Sequence, residues 1–190
     1  MRHGQTVWNV QKRLQGRRDS PLTVLGVSQA QAFGARLAQI IEKPSAVQAV
    51  SSPLGRAWQT AVLAVSGMGV DPSLIVLDDR LVEHAFGQWE GLVWDEVKLN
   101  HGPALAARMK DRWNVPAPGG ESFAMVAERV ADWLSDQDEE ETVLCFCHGV
   151  TSRVIRGLYA KLDRETIMSL EEPQDRIFVL SEGHVREVIA

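Results

Sequence analysis

The sequence has only two cysteines and no long apolar run, and each shortage excludes a class of protein. Two cysteines among 190 residues, Cys145 and Cys147, cannot form the disulfide framework of a small secreted domain. No window approaches the roughly 18 uninterrupted apolar residues that a membrane-spanning helix needs. Residues 1–6 contain no stretch that resembles a signal-peptide core. We therefore expect a soluble, cytoplasmic protein with no membrane partner.

Basic residues are too few and too scattered to indicate a nucleic-acid partner. The chain carries 20 Lys and Arg against 25 Asp and Glu, a net charge of −5. No basic tract is long enough to follow a phosphate backbone. No repeat or linker divides the chain, so we expect one domain over residues 1–190. The densest charged run, residues 136–141, is interpreted as a solvated loop.

Strand patterns alternate with helical patterns, which predicts an α/β fold with a three-layer α/β/α architecture and a mostly parallel central sheet. The predicted strands are 47–51, 74–77 and 142–147, and the chain ends in a predicted hairpin of 176–180 and 184–189. Helices are predicted to begin after the capping residues Thr23 and Ser122, at Ser52-Pro53 with Pro53 in the first helical position, and at about Val150.

Two of the predicted strands end in residues that suit the binding of a small anion. Residues 51–56 lead from one strand into the next helix, and residues 147–149 follow another strand. Ligands of open α/β sheets bind outside the carboxyl ends of the strands, where helix N-termini present free N–H groups. The guanidinium of Arg56 and the imidazole of His148 therefore indicate an anion such as phosphate. Arg2 and His3 complete the set if the N-terminus reaches the same edge.

Each of these residues, taken alone, also has a structural explanation. A short Arg2-His3 motif is more typical of a surface, and a histidine like His148 at the end of an apolar strand is more often a core residue. Glu83, in the segment 81–91, is by default an exposed loop carboxylate. Arg56 can also be explained as a solvated surface charge. A cation in the first turn of a helix is, however, repelled by the helix dipole and needs a compensating anion.

Ordered sequence blocks along nearly the whole chain are more specific than any single residue. The blocks are RHGQTVWN (2–9), LQGRRDSPLT (14–23), Gly26 with Gln29-Ala30, SSPLGRAWQTA (51–61), LVEHAFGQWEG (81–91), PGGES (118–122) and CHG (147–149). Together they resemble the histidine phosphatase superfamily, whose fold is also called phosphoglycerate-mutase-like. The resemblance extends from Arg2 to at least Gly157.

The resemblance implies a two-step phosphoryl transfer through a phosphohistidine. It makes His3 the nucleophile and Glu83 the group that protonates the leaving oxygen and later takes a proton from water. It assigns Arg2, Arg56 and His148 to neutralising the charge on the transferred group. It also implies phosphate or substrate contacts by Asn9, Gln15, Gly16 and Gly149.

The same scheme needs no metal and no cofactor, because cationic side chains neutralise the phosphoryl group. We therefore interpret Cys145, Cys147 and His148 as a core strand that ends in a catalytic residue, not as a metal site. The expected partner is a small-molecule phosphate ester. The sequence gives no indication of an oligomeric state.

The sequence departs from the family pattern in three places. The Arg-His-Gly motif normally follows a central strand, whereas only Met1 precedes it here. We therefore expect the first central strand to be truncated before Arg2. Val150, Phe86 and Lys110-Asp111 stand where the mutase branch usually carries an asparagine, a tyrosine and paired arginines. The segment 92–117, which covers the substrate in this family, carries several basic residues that are mostly expected to be solvated.

These departures favour hydrolysis over mutase chemistry. The leading hypothesis is a metal-independent phosphomonoester hydrolase of the histidine acid phosphatase type, acting through a phosphohistidine on a small phosphorylated metabolite. Two alternatives stay open: a cofactor-dependent phosphoglycerate mutase, and a catalytically silent protein that binds a phosphorylated ligand. His3, Arg56, Glu83 and His148 are all present, which counts against a silent protein.

Overall fold

A parallel sheet of three short strands lies at the centre of the molecule, in a computed structural model that describes residues 1–138 and 140–190. The strands are β1 (Val47–Ser51), β2 (Val76–Leu77) and β3 (Thr142–Phe146), in the order β2-β1-β3. Val50 of β1 is in register with both Val76 and Cys145. The prediction of an α/β fold with a parallel central sheet is confirmed.

Eight helices accompany the sheet in the described residues. They are α1 (Val7–Val10), α2 (Val24–Ile40), α3 (Gly55–Gly67), α4 (Trp94–Asn100), α5 (Gly102–Lys110), α6 (Phe123–Ser135), α7 (Gly149–Tyr159) and α8 (Arg164–Ser169). The predicted caps are confirmed for two of them, since the hydroxyl of Thr23 accepts from Gly26 N at 3.1 Å and that of Ser122 from Met125 N at 3.3 Å. None of the described helices is long and apolar enough to cross a bilayer.

The predicted start of α3 at Pro53 is wrong by two residues. The helix begins at Gly55, and the cap residue Leu54 makes no side-chain hydrogen bond to it. Instead, the carboxylate of Asp19, on a distant loop, accepts from the backbone N–H groups of Gly55 and Arg56. Ser52 is used elsewhere, because its hydroxyl lies 2.7 Å from Nε2 of His148.

The remaining predicted elements agree with the structure in all but one strand. The predicted strand 74–77 is reduced to Val76–Leu77, because residues 72–74 form a 3₁₀ turn that begins with Pro72. The terminal hairpin forms as predicted, as β4 (Arg176–Ser181) and β5 (His184–Ile189) in a separate antiparallel sheet. Of the predicted loop 136–141, Glu139 lies outside the described residues.

Two hydrophobic clusters cover the two faces of the central sheet. On one face, Phe33 of α2 and Ala61 of α3 pack with Leu144. On the other, Val130 of α6 and Val154 of α7 pack with Val50, together with the free thiols Cys145 and Cys147. Helices therefore lie on both faces of the sheet, as the three-layer prediction requires.

The N-terminal residues lie along the edge of β3 that faces away from β1. The backbone N–H of His3 donates to the carbonyl of Cys147 at 3.0 Å, and that of Cys147 donates to Met1 at 2.9 Å. This parallel pairing places Arg2 and His3 beside the carboxyl end of β3. The expectation that the first central strand is truncated before Arg2 stays a prediction.

Candidate active site

Two histidines from opposite ends of the chain meet at the carboxyl end of the central sheet. The ring centroids of His3 and His148 are 5.2 Å apart, and both side chains are buried. His148 follows β3 directly, and the N-terminal residues that pair with β3 carry His3 to the same level. The condition set by the sequence, that the N-terminus must reach the same sheet edge as His148, is met.

The hydrogen bonds of His3 fix its tautomer. Nε of Arg56 donates to Nε2 of His3 at 3.2 Å, and a guanidinium can only donate, so Nε2 must carry a lone pair. Nδ1 then carries the proton and donates to the carbonyl of Gly4 at 2.8 Å. The ring therefore presents an unprotonated Nε2 to the site.

Both histidines are held in the neutral form. Burial lowers the pKa of His3 well below its ordinary value, and the positive charges of Arg56 and Arg2 lower it further. Burial, then Arg56, then His3 itself lower the pKa of His148 in the same direction. A cation among cations in a buried site is unfavourable, so each ring remains uncharged near neutral pH.

Arg56 is fixed by a set of acceptors that leaves little freedom to its guanidinium. Nη1 donates to Arg18 O at 2.7 Å and to Asp19 Oδ1 at 3.0 Å, and Nη2 donates to Gly16 O at 2.8 Å. With Nε engaged by His3, four of the five N–H groups are used. Burial lowers the pKa of Arg56, while the negative charges of Glu83 and Asp19 oppose this shift.

Several buried N–H groups or ring nitrogens near the two histidines have no hydrogen-bond partner among the described residues. Nε of Arg2 is one, and Nδ1 of His148 is another. Gly149 opens α7 immediately after His148, which adds the N-terminal dipole of an 11-residue helix. Buried polar groups in native proteins are nearly always paired, so these two atoms are candidates for contact with a bound ligand.

Arg2 is joined to a carboxylate that the sequence did not single out. Its Nη1 donates to the backbone carbonyl of Glu172 and lies 3.8 Å from Oε2 of the same residue. The Glu172 carboxylate also pairs with Arg153 Nε at 2.9 Å and packs against Gly149. Burial raises the pKa of Glu172, and the neighbouring arginines only partly offset that effect.

Glu83 lies on a loop that is tied to α7. Its Oε1 accepts from its neighbour His84 N at 3.0 Å and from Thr151 N at 3.4 Å. The hydroxyl of Thr151 donates to the carbonyl of Val82 at 2.7 Å. The carboxylate therefore faces the first turn of the helix that begins after His148.

A second segment holds the Glu83 loop from the other side. Glu121 accepts from Ala85 N through Oε2 at 2.9 Å and pairs with Arg17 and Arg129 through Oε1, at 3.0 and 3.1 Å. Gly87 has φ +54°, and a Cβ there would overlap the backbone at Pro118 and Gly120. The backbone at Gly87 is in direct contact with the backbone of residues 118–120, and this contact fixes the position of the Glu83 loop.

The other predicted contact residues line the same region or support it. Gly16 O binds Arg56, and Gln15 is buried with its Oε1 unpartnered in the described part of the chain. Asn9 is one step removed, because its Oδ1 accepts from Gln174 Nε2, which also donates to His3 O. Asn9 thus lies beside the backbone of His3 rather than beside its ring.

The residues of this site do not form a recognisable metal centre. Among residues 1–138 and 140–190, no group of three or more His, Cys, Asp or Glu side chains is placed to hold a metal ion. Arg56 and Arg2 are the charged groups that act on both imidazoles, and the negative charge of Glu83 acts in turn on Arg56.

Sequence reasoning missed several supporting residues. Asp19 and Ser52 lie inside the family-like sequence blocks. Nothing in a linear pattern shows that Asp19 pairs with Arg56 or that Ser52 hydrogen-bonds to His148. Thr151 follows the CHG block and could have been found from its position in the first turn of α7. Glu172 and Gln174 lie beyond the last block, and no sequence signal indicates them.

Comparison with known proteins gives one family and relatives of two kinds. The family described as histidine phosphatase superfamily (branch 1) matches residues 1–187. A 2,3-bisphosphoglycerate-dependent phosphoglycerate mutase of Methylobacterium sp. is 32% identical over 178 residues, which are 90% of this chain and 83% of the mutase. The mycobacterial glucosyl-3-phosphoglycerate phosphatase Rv2419c, solved with VO₃, is 28% identical with a TM-score of 0.73, over 99% of this chain and 94% of that one.

A further relative is much longer than this chain. The bifunctional protein Rv2228c of Mycobacterium tuberculosis is 39% identical over 151 residues. The match covers 78% of this chain but only 40% of that protein.

Proposed function

The chain belongs to the histidine phosphatase superfamily, and on that premise we propose that it is a metal-independent phosphomonoester hydrolase acting through a phosphohistidine. The observation that carries the proposal is the state of His3, a buried neutral ring whose unprotonated Nε2 is held by Arg56 and lies beside His148. Its partner is a small-molecule phosphate ester, with no role for nucleic acid or membrane.

In the first step, the lone pair of His3 Nε2 attacks phosphorus in line with the ester oxygen. The P–O bond breaks, its electron pair goes to the leaving oxygen, and the carboxyl group of Glu83 supplies the proton. The Gly4 carbonyl keeps its hydrogen bond from Nδ1–H of His3 and stabilises the positive charge that develops on this ring. The product alcohol leaves, and phosphorus stays on His3.

The unpaired donors around His3 are suited to the oxygens of the transferred group. Nε of Arg2, Nδ1 of His148 when it carries the proton, and the fifth N–H of Arg56 can each donate to a phosphoryl oxygen. Such donors are fixed before the reaction and are buried from water, so they stabilise the charge of the transition state with little reorganisation.

In the second step, water replaces the alcohol. The Glu83 carboxylate takes a proton from the water as its oxygen attacks phosphorus, and the P–N bond breaks. The electron pair returns to Nε2 of His3, and inorganic phosphate leaves. The neutral ring is restored for the next cycle.

The test uses 4-nitrophenyl phosphate in the presence of EDTA. Wild-type protein should release nitrophenol and form an acid-labile, base-stable phosphoprotein. His3→Ala should lower kcat by at least about a thousandfold, whereas His184→Ala, which removes an exposed imidazole on β5, should not. Full turnover by His3→Ala, or activity that EDTA abolishes, would contradict the proposal.

Glu83 is tested by the choice of leaving group. Glu83→Gln should reduce the hydrolysis of an alkyl phosphate about a hundredfold more than that of 4-nitrophenyl phosphate, because nitrophenolate leaves without a proton. Equal loss on both substrates would remove Glu83 from the role of proton donor.

A second candidate, cofactor-dependent phosphoglycerate mutase, is favoured by the mutase relative that spans 90% of this chain. It predicts interconversion of 3- and 2-phosphoglycerate that 2,3-bisphosphoglycerate stimulates. That result with little release of inorganic phosphate would replace hydrolysis by mutase chemistry. Tight phosphate binding with neither reaction would identify a silent binding protein.

A further inference from the structure

A cavity beside the Glu83 loop combines apolar walls with two arginines. It has a volume of about 190 Å³ and is lined by Phe86, Trp94, Arg108, Met109, Arg112, Phe123 and Val150. Phe86 lies three residues after Glu83, and Val150 lies two residues after His148. The cavity thus adjoins the place where the leaving group of a phosphate ester would lie.

The walls suit a single flat ring. The rings of Phe86 and Trp94 meet edge to face at 6.1 Å, and Phe86 meets the buried His84 ring edge to face at 4.7 Å. Aromatic walls in such arrangements favour another aromatic or ring-shaped guest. An apolar cavity of roughly 150 Å³ can hold benzene, so about 190 Å³ accommodates one substituted ring.

The two arginines of this cavity lack a counter-charge. Within the described residues, neither Arg108 nor Arg112 forms an ion pair with a carboxylate. Arg108 is only 3% exposed, and its hydrogen bonds go to Val115 O at 2.8 Å and to Nε2 of His84 at 3.4 Å. Arg112 lies with Cζ 5.5 Å from the ring centroid of Phe123.

The missing counter-charge has an energetic cost that a ligand would remove. Burial and the positive charge of Arg112 lower the pKa of Arg108 to about 10, so the two guanidiniums destabilise each other. An unpaired buried charge is unfavourable unless an opposite charge arrives. A planar anion on the ring of the guest can accept from both arginines.

We propose that this cavity binds the leaving group of the substrate as a ring that carries a second anionic group, with Arg108 and Arg112 recognising that anion. The substrate class is therefore a phosphomonoester of a carboxylated or otherwise anionic ring alcohol. This inference rests on the proposed phosphatase activity for its substrate, but the cavity can be tested without turnover.

The kinetic test compares 4-carboxyphenyl phosphate with its neutral analogue, 4-carbamoylphenyl phosphate. Wild type should prefer the carboxylate by about tenfold in kcat/KM, and Arg112→Gln should abolish that preference. The matched control is Arg164→Gln, since Arg164 lies over Trp113 at 5.2 Å outside the cavity. Equal rates on the two substrates in wild type would overturn the proposal.

The binding test uses 4-hydroxybenzoate, which has no phosphate. It should quench tryptophan fluorescence in a saturable manner, the quench should disappear in Trp94→Phe, and Arg112→Gln should raise the Kd about tenfold. If no phosphate ester is hydrolysed but this binding holds, the phosphatase proposal fails and the cavity stands. If hydrolysis occurs but 4-hydroxybenzoate neither binds nor competes, the cavity proposal fails alone.

Discussion

Nε of Arg56 donates a hydrogen bond to Nε2 of His3 at 3.2 Å, so the atom proposed to attack phosphorus is occupied in the free site. A phosphate ester must take that position from the guanidinium, which keeps its other bonds to Gly16, Arg18 and Asp19. The Nε–H that is released from His3 and the one N–H without a partner can then donate to the phosphoryl oxygens. Substrate binding and activation of the nucleophile are thereby the same event.

This relationship predicts the ¹⁵N spectrum of the His3 ring. Nδ1 should show the shift of a protonated nitrogen and Nε2 that of a bare one. Both should stay constant as the pH falls through 6.5, the ordinary pKa of a histidine, because burial keeps the pKa of His3 well below that value. The measurement is a long-range ¹H–¹⁵N spectrum, with His3→Gln for assignment. A protonated Nε2 in the free protein would contradict the tautomer.

Asp19 should act as a positioning residue for Arg56. Asp19→Asn removes the charge that pairs with Nη1 but keeps a side chain that can still accept at the start of α3. We expect kcat on 4-nitrophenyl phosphate to fall about tenfold, with KM changed less than threefold, because small displacements of a catalytic group are costly. The control is Asp71→Asn, at an exposed carboxylate that caps a remote turn. A similar kcat loss in both variants would contradict the role.

Three buried neutral histidines should make the protein sensitive to acid. Burial and Arg108 lower the pKa of His84 to about 4, and the pKa values of His3 and His148 are also depressed. Below about pH 6.5 the unfolded chain takes up protons that the folded chain does not, so stability is complete above that pH and declines as the pH falls towards 4.

The sign and size of this effect can be measured by urea unfolding at pH 7, 6 and 5. The free energy of unfolding should fall most steeply between pH 6 and 5, and His84→Gln should reduce that slope by about one third. His184→Gln removes an exposed imidazole instead and is the matched control. An unchanged slope in His84→Gln would mean that His84 protonates equally in the folded and unfolded states.

Gly87→Ala should damage both stability and activity. The position has φ +54°, and a Cβ would overlap the backbone at Pro118 and Gly120, so we expect a loss of at least about 3 kcal/mol. Gly69→Ala has φ +75° with open space around it and should cost only about 1 kcal/mol. Activity should fall in Gly87→Ala alone, because that contact holds the Glu83 loop. Equal losses in stability would contradict the close approach.

The sequence was sufficient for the order of elements and for part of the site. Apolar periodicity and caps such as Thr23 are local signals, and they located most helices and strands. The placement of Arg56 and His148 at one edge followed from the rule that ligands bind at the carboxyl ends of parallel strands, whereas His3 was included only on the condition that the N-terminus reaches that edge. The start of α3 was missed because its cap comes from Asp19 across the fold, which no local rule can anticipate.

The supporting residues show where sequence reasoning loses information. Glu172 binds Arg2 from a loop near the end of the chain, and its contribution depends on three-dimensional placement and burial rather than on a motif. The basic residues of the segment 92–117 were mostly expected to be solvated, whereas Arg108 is buried. The long apolar stem of arginine makes such burial hard to detect in a charged segment.

The segment 92–117, which contains α4 and α5, supplies Trp94, Arg108, Met109 and Arg112 to the cavity. None of the hydrogen bonds described for His3, Arg56 or His148 comes from it. Four of the seven residues that line the proposed leaving-group cavity therefore come from a stretch of the chain that supplies none of these hydrogen bonds. Exchanging residues 92–117 with those of another member of the superfamily should create a chimera that accepts new esters at an unaltered chemical rate. This segment is therefore the natural unit for evolving or engineering the substrate range.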